Sequence, residues 1–313
     1  MSYTKPKKLQ MGDLIGLISP ASAPFDFKLV KNGEKYFEEL GYRTILGNNV
    51  GKIRGYLAGT DEERIRDIHQ MFDNKKVKAI FCLRGGYGAF RLIDRLDYRL
   101  IQNNPKIFVG FSEITALQMA ILKKSTLVTF AGPMVVSNFS KNRCEFTTKN
   151  FWSILTSNKK PKRVIFSGKH LLSNIKSGEV TGEIIGGNLS VFTSLIGTGY
   201  LPDLKNKILM LEEIKEPPYK IDRMFNQLRL NNVFAKVNGI VLGNFIDCEE
   251  TDKKKNSLTL EEVFADYFNK LKIPVISWIP HGHSKRMITM PIGIKLKIDM
   301  NKKHIDFLES GVR

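Results

Sequence analysis

Two periodicities take turns along this chain. Short apolar runs at 14–18, 77–83, 107–111 and 126–130 read as strands, and between them apolar residues recur at helical spacing over 27–40, 62–72, 89–96 and 113–124. Strands that alternate with helices predict a parallel sheet covered by helices on both faces. A charged, broken stretch over 158–178 interrupts this pattern. Beyond it strands dominate, at 179–185, 208–211, 239–246, 274–279 and 293–299, interrupted by helices at 221–230 and 260–270. The expected organisation is an N-terminal α/β domain over 1–157, a connection over 158–178 and a smaller β-rich C-terminal domain over 179–313. No internal repeat is visible.

The run 107–111 leads into Gly110-Phe111-Ser112-Glu113-Ile114, so Ser112 falls where a buried strand gives way to a helix. Such a turn lifts a hydroxyl above the sheet, and the free N–H groups of the first helical turn can meet a developing oxyanion. Taken alone, the serine reads more readily as a helix N-cap. A nucleophilic serine also needs a base within hydrogen-bond reach. Of the five histidines, His69 lies in a charged helical pattern, His170 follows a lysine in a polar stretch and His304 ends a Lys-Lys-His run; all three read as solvated. His281 and His283 instead follow the apolar run 273–279 and Pro280, in a loop at a strand end where catalytic groups are often displayed. Another strand, 207–211, runs into Glu212-Glu213, and because side chains alternate along a strand only one of these carboxylates can face such a site. Serine, glutamate and histidine occur in this order in α/β-hydrolases, although a triad is recognised by geometry and role.

The segment Arg84-Gly85-Gly86-Tyr87-Gly88 separates the strand 77–83 from the helical pattern 89–96. It could cradle a phosphate, but it lacks both the Gly-x-Gly-x-x-Gly spacing and the Lys-Ser/Thr of a P-loop. Close backbone approach to a tetrahedral intermediate, or a plain tight turn, accounts for the same glycines. Gly186-Gly187-Asn188-Leu189-Ser190 reads as a structural turn and helix start.

Together, Gly110-Phe111-Ser112-Glu113-Ile114-Thr115, Arg84-Gly85-Gly86-Tyr87-Gly88, Leu211-Glu212-Glu213 and Gly282-His283 with Met290-Pro291-Ile292-Gly293 resemble the LD-carboxypeptidases, serine peptidases that trim murein tetrapeptides. The resemblance runs from about Lys8 to Asp299. It implies Ser112 as nucleophile, His283 as general base and Glu212 as the acid that orients it. It further implies an oxyanion hole from the backbone N–H of Glu113 and of Gly85 or Gly86. Glu213 is then a solvated or substrate-facing charge, and His281 a neighbour of the base. The family more often has Asp at the position of Glu113, which leaves a backbone role intact. The implied reaction cuts the bond between the L-centre of meso-diaminopimelate and a terminal D-alanine during murein recycling. The implied site spans the interface of the two domains, where small ligands usually bind. Arg84 and Arg223 are candidates for holding substrate carboxylates, because a guanidinium fork matches a carboxylate bidentately.

Composition narrows the alternatives. The 313 residues, 42% of them hydrophobic, suffice for a sizeable core. No apolar stretch approaches a membrane span, and Met1-Ser2-Tyr3-Thr4-Lys5-Pro6-Lys7-Lys8 does not open a signal peptide, so a cytoplasmic location with no membrane partner is expected. Cys82, Cys144 and Cys248 are scattered, without metal-ligand spacing, and Cys82 reads as an inert core thiol. Neither a cofactor nor a metal is expected, and a homodimer is. The net charge of +18 is spread in short clusters without interleaved aromatics, which argues against a nucleic-acid partner. Positive potential would instead favour encounter with an anionic peptide. Two rival readings are a same-family peptidase that cleaves aminoacyl-nucleotide antibiotics for self-immunity, and a non-enzymatic basic binding protein. Tyr87-Gly88-Ala89 after the paired glycines resembles the tetrapeptide enzymes, since the immunity branch is richer there in asparagine and serine.

Overall fold

Five strands from the first part of the chain become parallel neighbours in one sheet. In a computed structural model that describes residues 3–165, 178–252, 254–299 and 301–313, β1 (Leu14–Ile18), β2 (Arg43–Leu46), β3 (Val77–Cys82), β4 (Ile107–Gly110) and β5 (Thr129–Ala131) lie in the order β5-β4-β3-β1-β2. Every pairing among them is parallel. All four residues of β4 and all but one of β3 are buried, as in a sheet covered on both faces.

The second sheet gathers β6 (Val164–Ile165), β7 (Glu179–Asn188), β8 (Lys207–Ile214), β9 (Gly239–Ile246) and β10 (Val275–Ile276). From there the chain returns to the first sheet, where β11 (Met290–Ile292) pairs antiparallel with β5. It then re-enters the second sheet as β12 (Lys295–Asp299) and β13 (His304–Phe307), giving the order β10-β9-β8-β7-β12-β13-β6. Strands β7 to β10 run parallel, and β12, β13 and β6 add an antiparallel half. The helix Thr115–Ser125 touches β5 of one sheet and β7 of the other. It is buried on nearly all sides, Thr115, Gln118 and Ser125 included, as a helix enclosed between layers must be.

Several expectations are corrected. The segment 89–96 is not a helix: only a 3-10 turn forms at Phe90–Leu92, and the N–H groups of Gly88, Ala89 and Phe90 at its start are satisfied by the carboxylate of Glu113 from another segment. The glycines Gly186 and Gly187 lie inside β7, not in a turn; a Cβ there would stand 2.1 Å from the Met210 carbonyl oxygen and 2.4 Å from Thr115 Oγ1. His304 is buried on β13 with Nε2 3.2 Å from Asp306 Oδ2, on the same strand face two residues on. His69 is half-buried and its Nε2 accepts the N–H of Asp97. His170 lies outside the described residues. The helix Glu145–Leu155 and the short strands β2, β6 and β13 went unread, because none carries a strong periodic signal.

Candidate active site

Strand β4 ends at Gly110, where an added Cβ would come within 2.8 Å of Ile114, so the chain can fold back tightly onto the following turn. Phe111 is extended, and Ser112 then adopts φ 63°, a left-handed conformation that costs a non-glycine residue about 1–2 kcal/mol. The 3-10 turn Ser112–Ile114 and the helix Thr115–Ser125 follow directly. Gln118 reaches back from that helix and donates Nε2–H to the Gly110 carbonyl at 3.0 Å. Serine at a strained elbow is therefore held by packing on both sides, and its side chain does not cap the helix. Strain maintained in this way points toward a functional role.

Strand alternation decides between the two glutamates. Glu212, 1% exposed, places Oε2 2.7 Å from His283 Nδ1, and His283 Nε2 lies 3.1 Å from Ser112 Oγ. With Nδ1–H donated to the carboxylate, Nε2 keeps its lone pair for the serine proton. Glu213 points to the opposite face and is buried, so the solvated role expected for it is corrected. Its oxygens accept from Asn188 Nδ2 at 2.8 Å, Ser190 N at 2.8 Å and Ile214 N at 2.9 Å, and burial pushes its pKa up. Glycines let the histidine loop lie against Glu212. A Cβ on Gly282 would stand 2.7 Å from Glu212 Oε2, and one on Gly243 would stand 2.6 Å from the His281 carbonyl.

His281 has a different neighbourhood. It is fully buried, donates Nδ1–H to the Ile288 carbonyl at 2.8 Å, and burial drives its pKa down. The loop between β10 and β11 that carries both histidines is fastened to the first region by the helix Glu145–Leu155. Thr147 Oγ1 donates to the Lys285 carbonyl and accepts from Met287 N, while Asn150 Oδ1 accepts from Thr289 N. A second tie joins the sheets beside Ser112, where Asn188 N donates to Thr115 Oγ1 at 3.1 Å.

Gly85 packs against the serine: an added Cβ would meet Ser112 Oγ at 3.2 Å and the backbone nitrogen of Glu113 at 3.6 Å. The Glu113 side chain, given only a backbone role by sequence reasoning, also clasps this turn. Its Oε1 accepts from Gly88 N at 2.8 Å and Ala89 N at 2.9 Å, against a burial cost that raises its pKa. The elbow and the glycine turn are thus one unit.

Two hollows open from Ser112 and share Gly86 and Ile214. One, of about 350 Å³, is lined by His283, Arg84, Lys285, Phe25 and Asn138. The other, of about 520 Å³, is lined by Tyr87, Ser190, Ser194, Glu213 and Glu216. Arg84 stacks its guanidinium 3.5 Å over the Phe25 ring and donates to the Ala23 carbonyl at 3.1 Å; burial lowers its pKa. Arg223 is not brought to either hollow. It is exposed on the helix Pro218–Leu230, over the ring of Tyr219. Among the described residues no group of three or more His, Cys, Asp or Glu is arranged to hold a metal, and no helix is long and apolar enough to cross a membrane.

Comparison with known proteins sets this chain in a family. Residues 15–132 match the LD-carboxypeptidase N-terminal domain and residues 181–298 the LD-carboxypeptidase C-terminal domain. The chain is 38% identical over 308 residues to a probable murein peptide carboxypeptidase of Bacillus subtilis, covering 98% of this chain and 95% of that one. Among solved structures, MccF in complex with glutamyl sulfamoyl guanosine superposes with TM-score 0.88 at 29% identity, covering 99% of both chains. A muramoyltetrapeptide carboxypeptidase from Oxalobacter formigenes superposes with TM-score 0.83 at 30% identity, over 93% of this chain and 97% of that one.

Proposed function

This chain belongs to the LD-carboxypeptidase family, and from that premise we propose that it is a serine-type LD-carboxypeptidase that removes the terminal D-alanine from murein tetrapeptides in the cytoplasm. The observation that carries the reading is the continuous relay from Glu212 through His283 to a strained Ser112. In this mechanism Ser112 Oγ attacks the carbonyl of the diaminopimelate residue while His283 Nε2 takes the hydroxyl proton. Negative charge gathers on the carbonyl oxygen, and the backbone N–H of Glu113 with that of Gly85 or Gly86 stabilises it. The imidazolium, steadied by Glu212, returns the proton to the amine of D-alanine as the C–N bond breaks. Water then hydrolyses the acyl-serine by the same proton route, regenerating the hydroxyl.

An assay of purified protein on a murein tetrapeptide, a pentapeptide and an aminoacyl-nucleotide tests the reading. Release of D-alanine from the tetrapeptide, abolished in Ser112→Ala, is the expected result. Exclusive turnover of the aminoacyl-nucleotide would replace it with the self-immunity chemistry, and cleavage of none of them, with no covalent labelling of Ser112, would remove the peptidase.

A further inference from the structure

The two hollows beside Ser112 differ in sign. The hollow that contains His283 is lined by Arg84 and Lys285 and by no Asp or Glu, whereas the other is lined by Glu113, Glu213 and Glu216 and by no Lys or Arg. Among the described residues no carboxylate pairs with Arg84, so a half-buried cation beside the nucleophile lacks a counter-charge. Lys285 is exposed, and its backbone, not its amine, is tied to Thr147. On the other side the three carboxylates are not equivalent. Glu113 holds the glycine turn and Glu213 holds Asn188 and Ser190. Glu216 is paired 2.9 Å from the half-exposed Lys220, an exchangeable partner at the protein surface.

Proton transfer fixes which hollow receives which end of the peptide. The nitrogen that takes the serine proton must deliver it to the departing amine, so the leaving residue has to sit within reach of His283 Nε2. His283 lines only the basic hollow of the two. The acyl residue, attached to the other side of the carbonyl, must extend the opposite way, into the hollow lined by glutamates. Resting on the carboxypeptidase reading above, we propose that Arg84 and Lys285 bind the free α-carboxylate of the leaving residue, and that Glu216 selects an acyl residue whose side chain ends in an ammonium group. A single residue bearing its own carboxylate fits the basic side, which makes the cleft an exopeptidase site. A diamino acid fits the acidic side. Arg84 and Glu216 are specificity-determining residues here, outside the relay itself.

The test uses four synthetic peptides: a tetrapeptide with L-lysine at position three and a free C-terminal D-alanine, its C-terminal amide, the same peptide with norleucine at position three, and that peptide's amide. For the wild-type protein, amidation and the norleucine exchange should each lower kcat/KM by at least about tenfold. Arg84→Gln or Lys285→Gln should shrink the acid-over-amide preference and leave the lysine-over-norleucine preference in place. Glu216→Gln should do the reverse. Lys285 is exposed, so its variant keeps the test decisive if Arg84→Gln folds poorly. Equal hydrolysis of acid and amide by the wild-type protein, or preferences that respond to the opposite variants, would overturn the assignment while leaving the carboxypeptidase intact. Failure of the wild-type protein to cut any tetrapeptide would remove the carboxypeptidase reading and this inference with it.

Discussion

The two sheets equip the relay by different means. The first delivers Ser112 through backbone shape: a strand end, a left-handed residue and a glycine turn pressed against it. The second delivers Glu212, a carboxyl group kept at 1% exposure, and beside it the loop that carries His283. The lesson is that one half should be vulnerable to changes of shape at constant charge, and the other to changes of charge at constant shape.

The largest effects come from removing a member of the relay. Ser112→Ala and His283→Ala should each lower kcat by roughly three orders of magnitude or more, and the double variant should be little worse than either, because such groups act as one unit. Steady-state assay of the three proteins checks this; additive losses would mean that the two residues do not work together. Next in size, Glu212→Gln keeps the outline of the side chain and removes its charge. It should cost about two to four orders of magnitude in kcat through a mis-set tautomer and an unsupported imidazolium, with the fold retained by circular dichroism.

A smaller loss tests the first sheet. Gly85→Ala adds a single methyl 3.1 Å from Ser112 Cβ without altering any charge. Displacement of the hydroxyl by a few tenths of an ångström should reduce kcat roughly tenfold to a hundredfold with an unchanged melting temperature. Wild-type kcat in that variant would show that the serine side tolerates a change of shape. The smallest effect on turnover is expected at His281, whose imidazole serves packing. Burial lowers its native pKa, so the unfolded chain binds the extra proton first as pH falls. Its contribution to stability is fully present above about pH 6.5 and is lost as pH drops toward the lowered native value. His281→Gln should therefore flatten the acid side of a melting-temperature profile while leaving kcat within a few-fold.

Much of the site was legible along the chain because local patterns carry it. The apolar run before Ser112 marks a strand end and helical spacing follows it, whereas alternation says only that one of Glu212 and Glu213 can face a site, and the family resemblance singles out Glu212. What stayed hidden depends on segments distant in sequence. The Glu113 side chain finds its partners 23 to 25 residues upstream, a contact that no local pattern announces. His304 looked solvated because its neighbours are lysines, yet pairing of β13 with β12 and β6 turns it inward. The return of β11 to the first sheet left no compositional trace either.

That return has a consequence for when the protein becomes active. His283 hangs on a span strung between β10 of one sheet and β11 of the other, 171 positions after Ser112, its hydrogen-bond partner. During synthesis Ser112 is made long before His283, the base proposed for it, and on that proposal the relay is complete only once β11 pairs with β5. Closure of that seam is a long-range event that ordinarily comes late. On the proposed mechanism a nascent or half-assembled molecule carries an unarmed serine, and the onset of turnover during refolding should lag behind the recovery of helical signal, reporting the moment at which the two halves become one.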